Sequence, residues 1–172
     1  QTAGRIEHLF FLPIISIATS LVTLVGMFYG AKRMDLVKEI VNYGISRSVI
    51  ISLTFSIFFL FIAEIITPLF SDNLLIITYT TFYFKIMAFA YPFITIGMTS
   101  TRIMQGLGHA NPMLFLTLFR VVIISVSLAW YFVIIMEKPI YFAWYGTLIS
   151  CILTSIVSVI WLRNIIINAF YC

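Results

Sequence analysis

The stretch LFFLPIISIATSLVTLVGMFYGA, from Leu9 to Ala31, runs for 23 residues without a charged side chain. A helix rises about 1.5 Å per residue, so this stretch is long enough to cross a hydrocarbon core roughly 30 Å thick. Four further stretches of similar composition follow before the end of the chain. The repetition predicts an all-α polytopic membrane protein with about five transmembrane helices.

The composition excludes several other classes of protein. Of the 172 residues, 62% are hydrophobic and 9% are charged, whereas a soluble domain carries roughly 25% charged residues. The net charge of +4 is small and spread over the loops, without the basic stripe that nucleic-acid binding needs. Cys151 and Cys172 have no partners at disulfide or metal-ligand spacing. We therefore expect membrane lipids as partners, no nucleic acid and no metal site.

The uncharged stretches divide the chain into five predicted spans within one transmembrane bundle over residues 1–172. The spans cover residues 8–30, 48–70, 79–101, 113–135 and 140–162. Between the first two, residues 33–46 carry most of the charge, with Val37, Ile40, Val41 and Ile45 at helical spacing. This pattern predicts a helix that lies in the membrane interface and bends up into the next span, with a solvated loop as the alternative.

The distribution of Lys and Arg predicts the orientation of the chain. One side of the membrane receives six of them, Lys32, Arg33, Lys38, Arg47, Arg102 and Arg163, and the other receives Arg5 and Lys138. Because basic loops stay cytoplasmic, the amino terminus is expected outside and the carboxy terminus in the cytoplasm. An odd number of spans with an outside start, and a first residue that is Gln1, indicate a fragment that lacks a preceding helix.

Three ionisable residues fall inside the predicted spans: Glu64, Lys85 and Arg120. Such residues are costly in lipid and often mark a substrate or ion pathway, so all three are pathway candidates. Glu64 and Lys85 lie at similar depth on two spans joined by a short loop, which predicts an ion pair. This pair is either structural or lines an aqueous cavity. Arg120 has no acid at matching depth, so it pairs outside this chain, binds backbone carbonyls or snorkels to the interface.

Prolines and glycines mark the predicted bends and close contacts. Pro92 interrupts the third span and is a hinge candidate, because proline removes one helical hydrogen bond. Pro13 is expected near the start of the first span, where its missing N–H costs little. Gly26 and Gly30 form a GxxxG spacing that allows close helix contact. Asn111 is expected to be an N-cap, followed by Pro112 in the first helical turn.

The sequence contains none of the common catalytic signatures. Gly-x-Ser-x-Gly, His-Glu-x-x-His and a phosphate-binding glycine loop are all absent from the 172 residues. We therefore predict that the protein is not an enzyme and uses no organic cofactor.

Four motifs, in this order and spacing, resemble the carboxy-terminal half of multidrug and toxic compound extrusion (MATE) transporters. They are LVGMFYGAKRMD from Leu24 to Asp35, QGLGHANP from Gln105 to Pro112, Phe119-Arg120, and YFAWYG from Tyr141 to Gly146. In that family Gly30 and Ala31 match the start of a cytoplasmic linker, and Gly106, Gly108 and Pro112 match a second cytoplasmic turn. The cytoplasmic side inferred from the charges agrees with the family topology.

The resemblance implies that the chain is helices eight to twelve of a twelve-helix antiporter in the plasma membrane. Such antiporters export amphipathic, often cationic compounds in exchange for Na⁺ or H⁺ by rocking two six-helix lobes, so the missing amino-terminal lobe is an expected partner. The presumed tenth helix carries Lys85 and no acid, which leaves the coupling ion open. Two alternatives remain: a lipid-linked oligosaccharide flippase of the same superfold, which would want a broad cationic cavity, and a non-transporting membrane scaffold.

Overall fold

Five long helices make up the part of the chain that the structure describes. The computed structural model describes residues 2–69, 73–139 and 141–171. The first helix is Thr2–Gly30, the second Met34–Ile66, the third Leu74–Gly106, the fourth Asn111–Ile135 and the fifth Phe142–Tyr171. A short 3₁₀ turn, Thr67–Leu69, ends the second helix. All five helices contain a segment long and apolar enough to cross a membrane.

The third helix lies at the centre of the bundle. It packs against the first, second and fifth helices, while the fourth helix packs mainly against the fifth. Two clusters of buried side chains hold this arrangement together. One, at the end of the bundle formed by the first interhelical turn, includes Val25, Val37, Ile103 and Met104. The other, toward the opposite end, is built on Phe59, Phe84 and Tyr91, with the rings of Phe59 and Phe84 stacked 5.2 Å apart.

The first and third helices approach closely at two glycines. A Cβ added to Gly106 would lie 2.8 Å from the backbone oxygen of Val22, and a Cβ added to Gly26 would lie 3.3 Å from the backbone oxygen of Gly106. No heavy atom lies within 4 Å of the position that a Cβ would take at Gly30. The close contact therefore uses Gly26 of the GxxxG spacing together with Gly106, the last residue of the third helix.

The fourth helix departs from regular α geometry. Asn111–Leu118 is α-helical, Phe119–Val126 is a π-helix, Ser127–Trp130 returns to α, and Tyr131–Ile135 is again π. A π-helix bonds residue i to i+5 and so is wider than an α-helix, and such segments are frequent at functional sites. The wider turns begin beside Arg120.

The prediction of an all-α protein with five membrane-length helices is confirmed, while the sides on which the termini lie remain a prediction. Two predicted span boundaries, the end of the second span at residue 70 and the start of the fifth at residue 140, lie outside the described residues. Gln1 and Cys172 also lie outside them. The expectation for Pro13 was wrong, because the first helix begins at Thr2 and places this proline in its interior. Asn111 is not an N-cap, since it is the first helical residue and Ala110 occupies the cap.

Residues 34–46 of the charged segment are part of a continuous helix, and Arg33 is its N-cap. The second helix runs without a break from Met34 to Ile66. Val37 and Val41 are buried in the protein core, with Ile40 and Ile45 packed against the same cluster. The apolar face that the spacing predicted is real, but it contacts other helices of the bundle.

Candidate functional site

A carboxylate that the sequence analysis did not single out lies at the centre of a hydrogen-bonded group. The first helix begins six residues earlier than predicted, which brings Glu7 into the bundle. The Tyr91 hydroxyl donates to Glu7 Oε1 at 2.7 Å, and the Tyr83 hydroxyl donates to Glu7 Oε2 at 3.0 Å. The two tyrosines are about two turns apart on the third helix and so share a face. Both carboxylate oxygens are therefore held from one neighbouring helix.

Aromatic rings surround this group and fix the position of Tyr91. Its ring lies 5.3 Å from that of Phe11 in an edge-to-face arrangement and 5.6 Å from that of Phe59. Edge-to-face pairs of this kind contribute about 0.5–1.5 kcal/mol beyond their area burial. Because Tyr91 is 2% exposed, its hydroxyl has little freedom to leave Glu7.

Glu7 faces a cavity of about 480 Å³ that lies between the first, third, fourth and fifth helices. Its lining includes Glu7, Phe11, Met87, Tyr91, Arg120 and Ser150. One carboxylate, one guanidinium, the imidazole of His8 and several aromatic and thioether groups thus line a single space. Most binding cavities have this composition, with apolar walls and a few placed polar groups.

Arg120 also lines this cavity, as the second residue of the first π-helical segment. Cys151, which is buried on the fifth helix, lines the same cavity. Sequence reasoning left Arg120 without an acid inside the chain. The structure gives it no ion pair among the described residues, but it places Glu7 and Arg120 on one cavity.

Glu64 and Lys85 form the predicted ion pair, with Lys85 Nζ 2.5 Å from Glu64 Oε1. The side chains remain 67% and 42% exposed, respectively. The pair lines a separate cavity with Thr78, Thr81 and Phe82, which shares no residue with the cavity at Glu7. The three ionisable candidates therefore divide into two places, and the role of each in a pathway stays a prediction.

Exchanging the two charges, by Glu64→Lys together with Lys85→Glu, is expected to keep the yield of folded full-length protein near wild type. Glu64→Lys alone sets two ammonium groups side by side in the membrane and should lower that yield several-fold. Fluorescence-detected size exclusion of a tagged protein measures both. If Glu64→Lys alone were as abundant and monodisperse as wild type, the ion pair would have no structural role.

The remaining candidates lie in or near the interhelical turns, except for Pro92, whose role as a hinge stays a prediction. Pro92 lies inside the third helix, directly after Tyr91. Gly108 has a φ of +87°, which glycine adopts without strain, and Pro112 lies in the first turn of the fourth helix. Gly30 ends the first helix, and the Ala31 N–H donates to the Met27 carbonyl at 3.0 Å.

The described residues contain no cluster of three His, Cys, Asp or Glu side chains that could hold a metal ion. Among the described residues that line its cavity, Glu7 is the one carboxylate, and two tyrosine hydroxyls are bonded to it. A group of this kind can bind a proton, a monovalent cation or an organic cation, one at a time.

The fold is that of part of a multi-pass membrane transporter. The sequence model of the MatE family matches residues 1–131, and the chain belongs to that family. It is 23% identical over 151 residues to the probable multidrug resistance protein NorM of Thermotoga maritima, a match that covers 88% of this chain and 32% of that protein. The chain thus spans about a third of the length of this relative.

Two solved structures of multidrug resistance MATE family transporters of the MOP superfamily have the same fold. The inward-facing one matches with a TM-score of 0.90 at 24% identity, over 98% of this chain and 39% of that one. The outward-facing one also has a TM-score of 0.90 at 24% identity, over 99% of this chain and 38% of that one. Members of the family are multi-pass membrane transporters and not enzymes.

Proposed function

We propose that this chain is part of a secondary active transporter that exports amphipathic cationic compounds in exchange for Na⁺ or H⁺. The observation that carries the proposal is the cavity lined by Glu7, Tyr91 and Arg120. Aromatic faces attract organic cations, and a carboxylate inside a membrane protein supplies the opposite charge. The apolar walls suit the remaining body of an amphipathic molecule.

In this proposal, the coupling between ion and substrate follows from the single carboxylate of Glu7. Glu7 holds a proton or Na⁺ in one state and the cationic group of the substrate in the other, so the two ligands exclude each other. Tyr83 and Tyr91 keep the carboxylate oriented in both states because each hydroxyl donates to a different oxygen. Competition of this kind couples the release of one ligand to the binding of the other.

Transport requires that the cavity open alternately to the two sides of the membrane. In our proposal this lobe moves as one body against a second lobe of the same protein. The equal likeness of this chain to inward-facing and outward-facing structures supports the view that the lobe keeps its fold in both states. Membrane lipids surround the lobe, with the amino terminus outside and the carboxy terminus in the cytoplasm, in line with the basic loops.

The cavity favours an exporter over a flippase for lipid-linked oligosaccharides. A flippase of that kind needs several cationic side chains for phosphates. Among the described residues that line the cavity, Arg120 is the one Lys or Arg side chain, and Glu7 balances it.

Reconstitution of the full-length gene product tests the proposal. In proteoliposomes preloaded with ethidium, an inwardly directed H⁺ or Na⁺ gradient should drive ethidium out, and protein-free vesicles should show no such flux. Collapse of the gradient with an ionophore should stop the flux. Ethidium movement that ignores both gradients would disprove antiport.

A further inference from the structure

The ion pair of Glu64 and Lys85 lies on the side of the third helix that is turned away from the cavity at Glu7. Tyr83, which bonds to Glu7, and Met87, which lines that cavity, are each two residues from Lys85. Lys85 is therefore about 160° round the helix from both. Because the proposed transporter meets its second lobe on the side of the Glu7 cavity, the side that carries the ion pair is left to lipid.

Aromatic residues indicate how deep the pair lies in the membrane. The rings of Tyr79 and Trp144 are 6.4 Å apart, and the ring of Tyr141 lies 5.4 Å from that of Phe82. Tyr and Trp collect at the membrane–water interface, and these three lie near the starts of the third and fifth helices. Lys85 follows Tyr79 by six residues, which is about 9 Å of helix. The pair thus lies just beneath the headgroup layer.

The pair has hydrogen-bonding capacity that the described residues do not use. Lys85 donates to Glu64 Oε1, but an ammonium group has three N–H donors. Glu64 Oε2 receives no hydrogen bond from the described part of the chain. The same part of the chain leaves both side chains substantially exposed. Charged groups at this depth are costly unless they are paired further, so a ligand that carries both signs of charge suits this place.

A continuous recess joins the pair to the aromatic residues at the interface. The cavity at the pair has a volume of about 340 Å³, and its neighbour, lined by Tyr79 and Tyr141, has about 480 Å³. Thr78 and Phe82 line both cavities, so the two adjoin. The other walls are apolar side chains of the third helix: Leu74, Leu75 and Ile77. A phospholipid matches this recess, with its headgroup at the charges and its glycerol and acyl groups against the apolar walls.

We propose that Glu64 and Lys85 bind the headgroup of phosphatidylethanolamine. The phosphate accepts hydrogen bonds from Lys85, and the primary ammonium donates to Glu64. Phosphatidylcholine offers Glu64 no N–H, because its nitrogen is fully methylated. Phosphatidylglycerol carries the phosphate without a cation, so Glu64 repels it. This site lies outside the proposed substrate cavity, and binding there does not require transport.

Lipids that differ in the headgroup alone test the proposal on the wild-type protein. Full-length protein, delipidated in detergent, is titrated separately with each lipid, all with the same acyl chains, and native mass spectrometry gives each Kd. Phosphatidylethanolamine should bind about tenfold more tightly than phosphatidylcholine, the scale of one hydrogen bond to a charged group. The N,N-dimethyl derivative, which keeps one N–H, should lie between them. Phosphatidylglycerol should bind no more tightly than phosphatidylcholine.

A double variant assigns this preference to the ion pair. Glu64→Gln together with Lys85→Gln removes both charges and leaves neither one unpaired, so the two Kd values should become nearly equal. The matched control is Arg33→Gln together with Asp35→Asn, which removes an exposed ion pair at the other end of the bundle. The control should keep the wild-type ratio of Kd values.

Equal Kd values for phosphatidylethanolamine and phosphatidylcholine in the wild-type protein would overturn the site without any variant. A preference that persists in the folded double variant would overturn its assignment to Glu64 and Lys85. Tighter binding of phosphatidylglycerol would contradict the role of Glu64. If the lipid preference is absent but ethidium is exported against a cation gradient, the lipid site fails and the proposed antiport stands. The lipid preference without ethidium export would have the opposite meaning.

Discussion

Replacing Glu7 with Gln should lower gradient-driven ethidium export by the full-length protein at least about tenfold, the scale set by one charge-assisted interaction. The amide keeps the size of the side chain but carries no charge, so it attracts neither a cation nor a proton. Its amide nitrogen also cannot accept a hydrogen bond, so one of the two tyrosine hydroxyls that now donate to Glu7 would lose its acceptor. Initial efflux rates from proteoliposomes, at matched protein content, measure the effect.

Two matched variants show whether the charge or the hydrogen bonds matter. Tyr91→Phe keeps the ring against Phe11 and Phe59 and removes the donor at 2.7 Å, so export should fall by a few-fold and not vanish. Glu39→Gln removes an exposed carboxylate from the second helix and should have no effect. Export at the wild-type rate in Glu7→Gln would remove Glu7 from the coupling mechanism.

Gly106→Ala should destabilise the full-length protein by about 1–3 kcal/mol, the usual cost of overpacking a well-packed interface. The new methyl group would lie 2.8 Å from the backbone oxygen of Val22 and 3.0 Å from the Cβ of Val25. Neither atom can rotate away, so the first and third helices would have to separate. A thermal shift followed by fluorescence-detected size exclusion reports the loss.

Gly97 supplies the control on the same helix. No heavy atom lies within 4 Å of the position that its Cβ would take, so Gly97→Ala meets no neighbour. Alanine is also a better helix former than glycine by up to about 1 kcal/mol, so this variant should be as stable as wild type or more stable. Equal melting temperatures for Gly97→Ala and Gly106→Ala would show that a methyl group added at Gly106 does not destabilise the contact between the first and third helices.

The five-helix fold could be predicted because hydropathy alone sets which segments lie in lipid. The ion pair of Glu64 and Lys85 could be predicted for a related reason. Two helices joined by a short loop are antiparallel neighbours, and residues equally far from that loop lie at the same depth. The turn at Gly108 could also be predicted, because glycine readily adopts a positive φ, and its φ in the structure is +87°.

Glu7 could not be found in this way because its partners are 76 and 84 residues away in sequence. Helical spacing relates residues within one element, and nothing in it pairs the first helix with the third. Glu7 also lies between Arg5 and His8 in the sequence, and such a polar segment is typical of residues outside the membrane. One signal was present: no glycine or proline separates Arg5 from Leu12, so the helix was free to begin earlier.

The π-helical turns of the fourth helix also bear on how this chain tolerates changes in length. Each π turn contains one more residue per hydrogen-bonded ring than an α turn does. Removing one residue between positions 119 and 126 therefore lets the segment relax to α geometry while both ends of the helix keep their neighbours. The same deletion in the uninterrupted third helix would rotate every following side chain by about 100°. Deletion scanning should accordingly find tolerated losses in the fourth helix, and homologous lobes are expected to vary in length there.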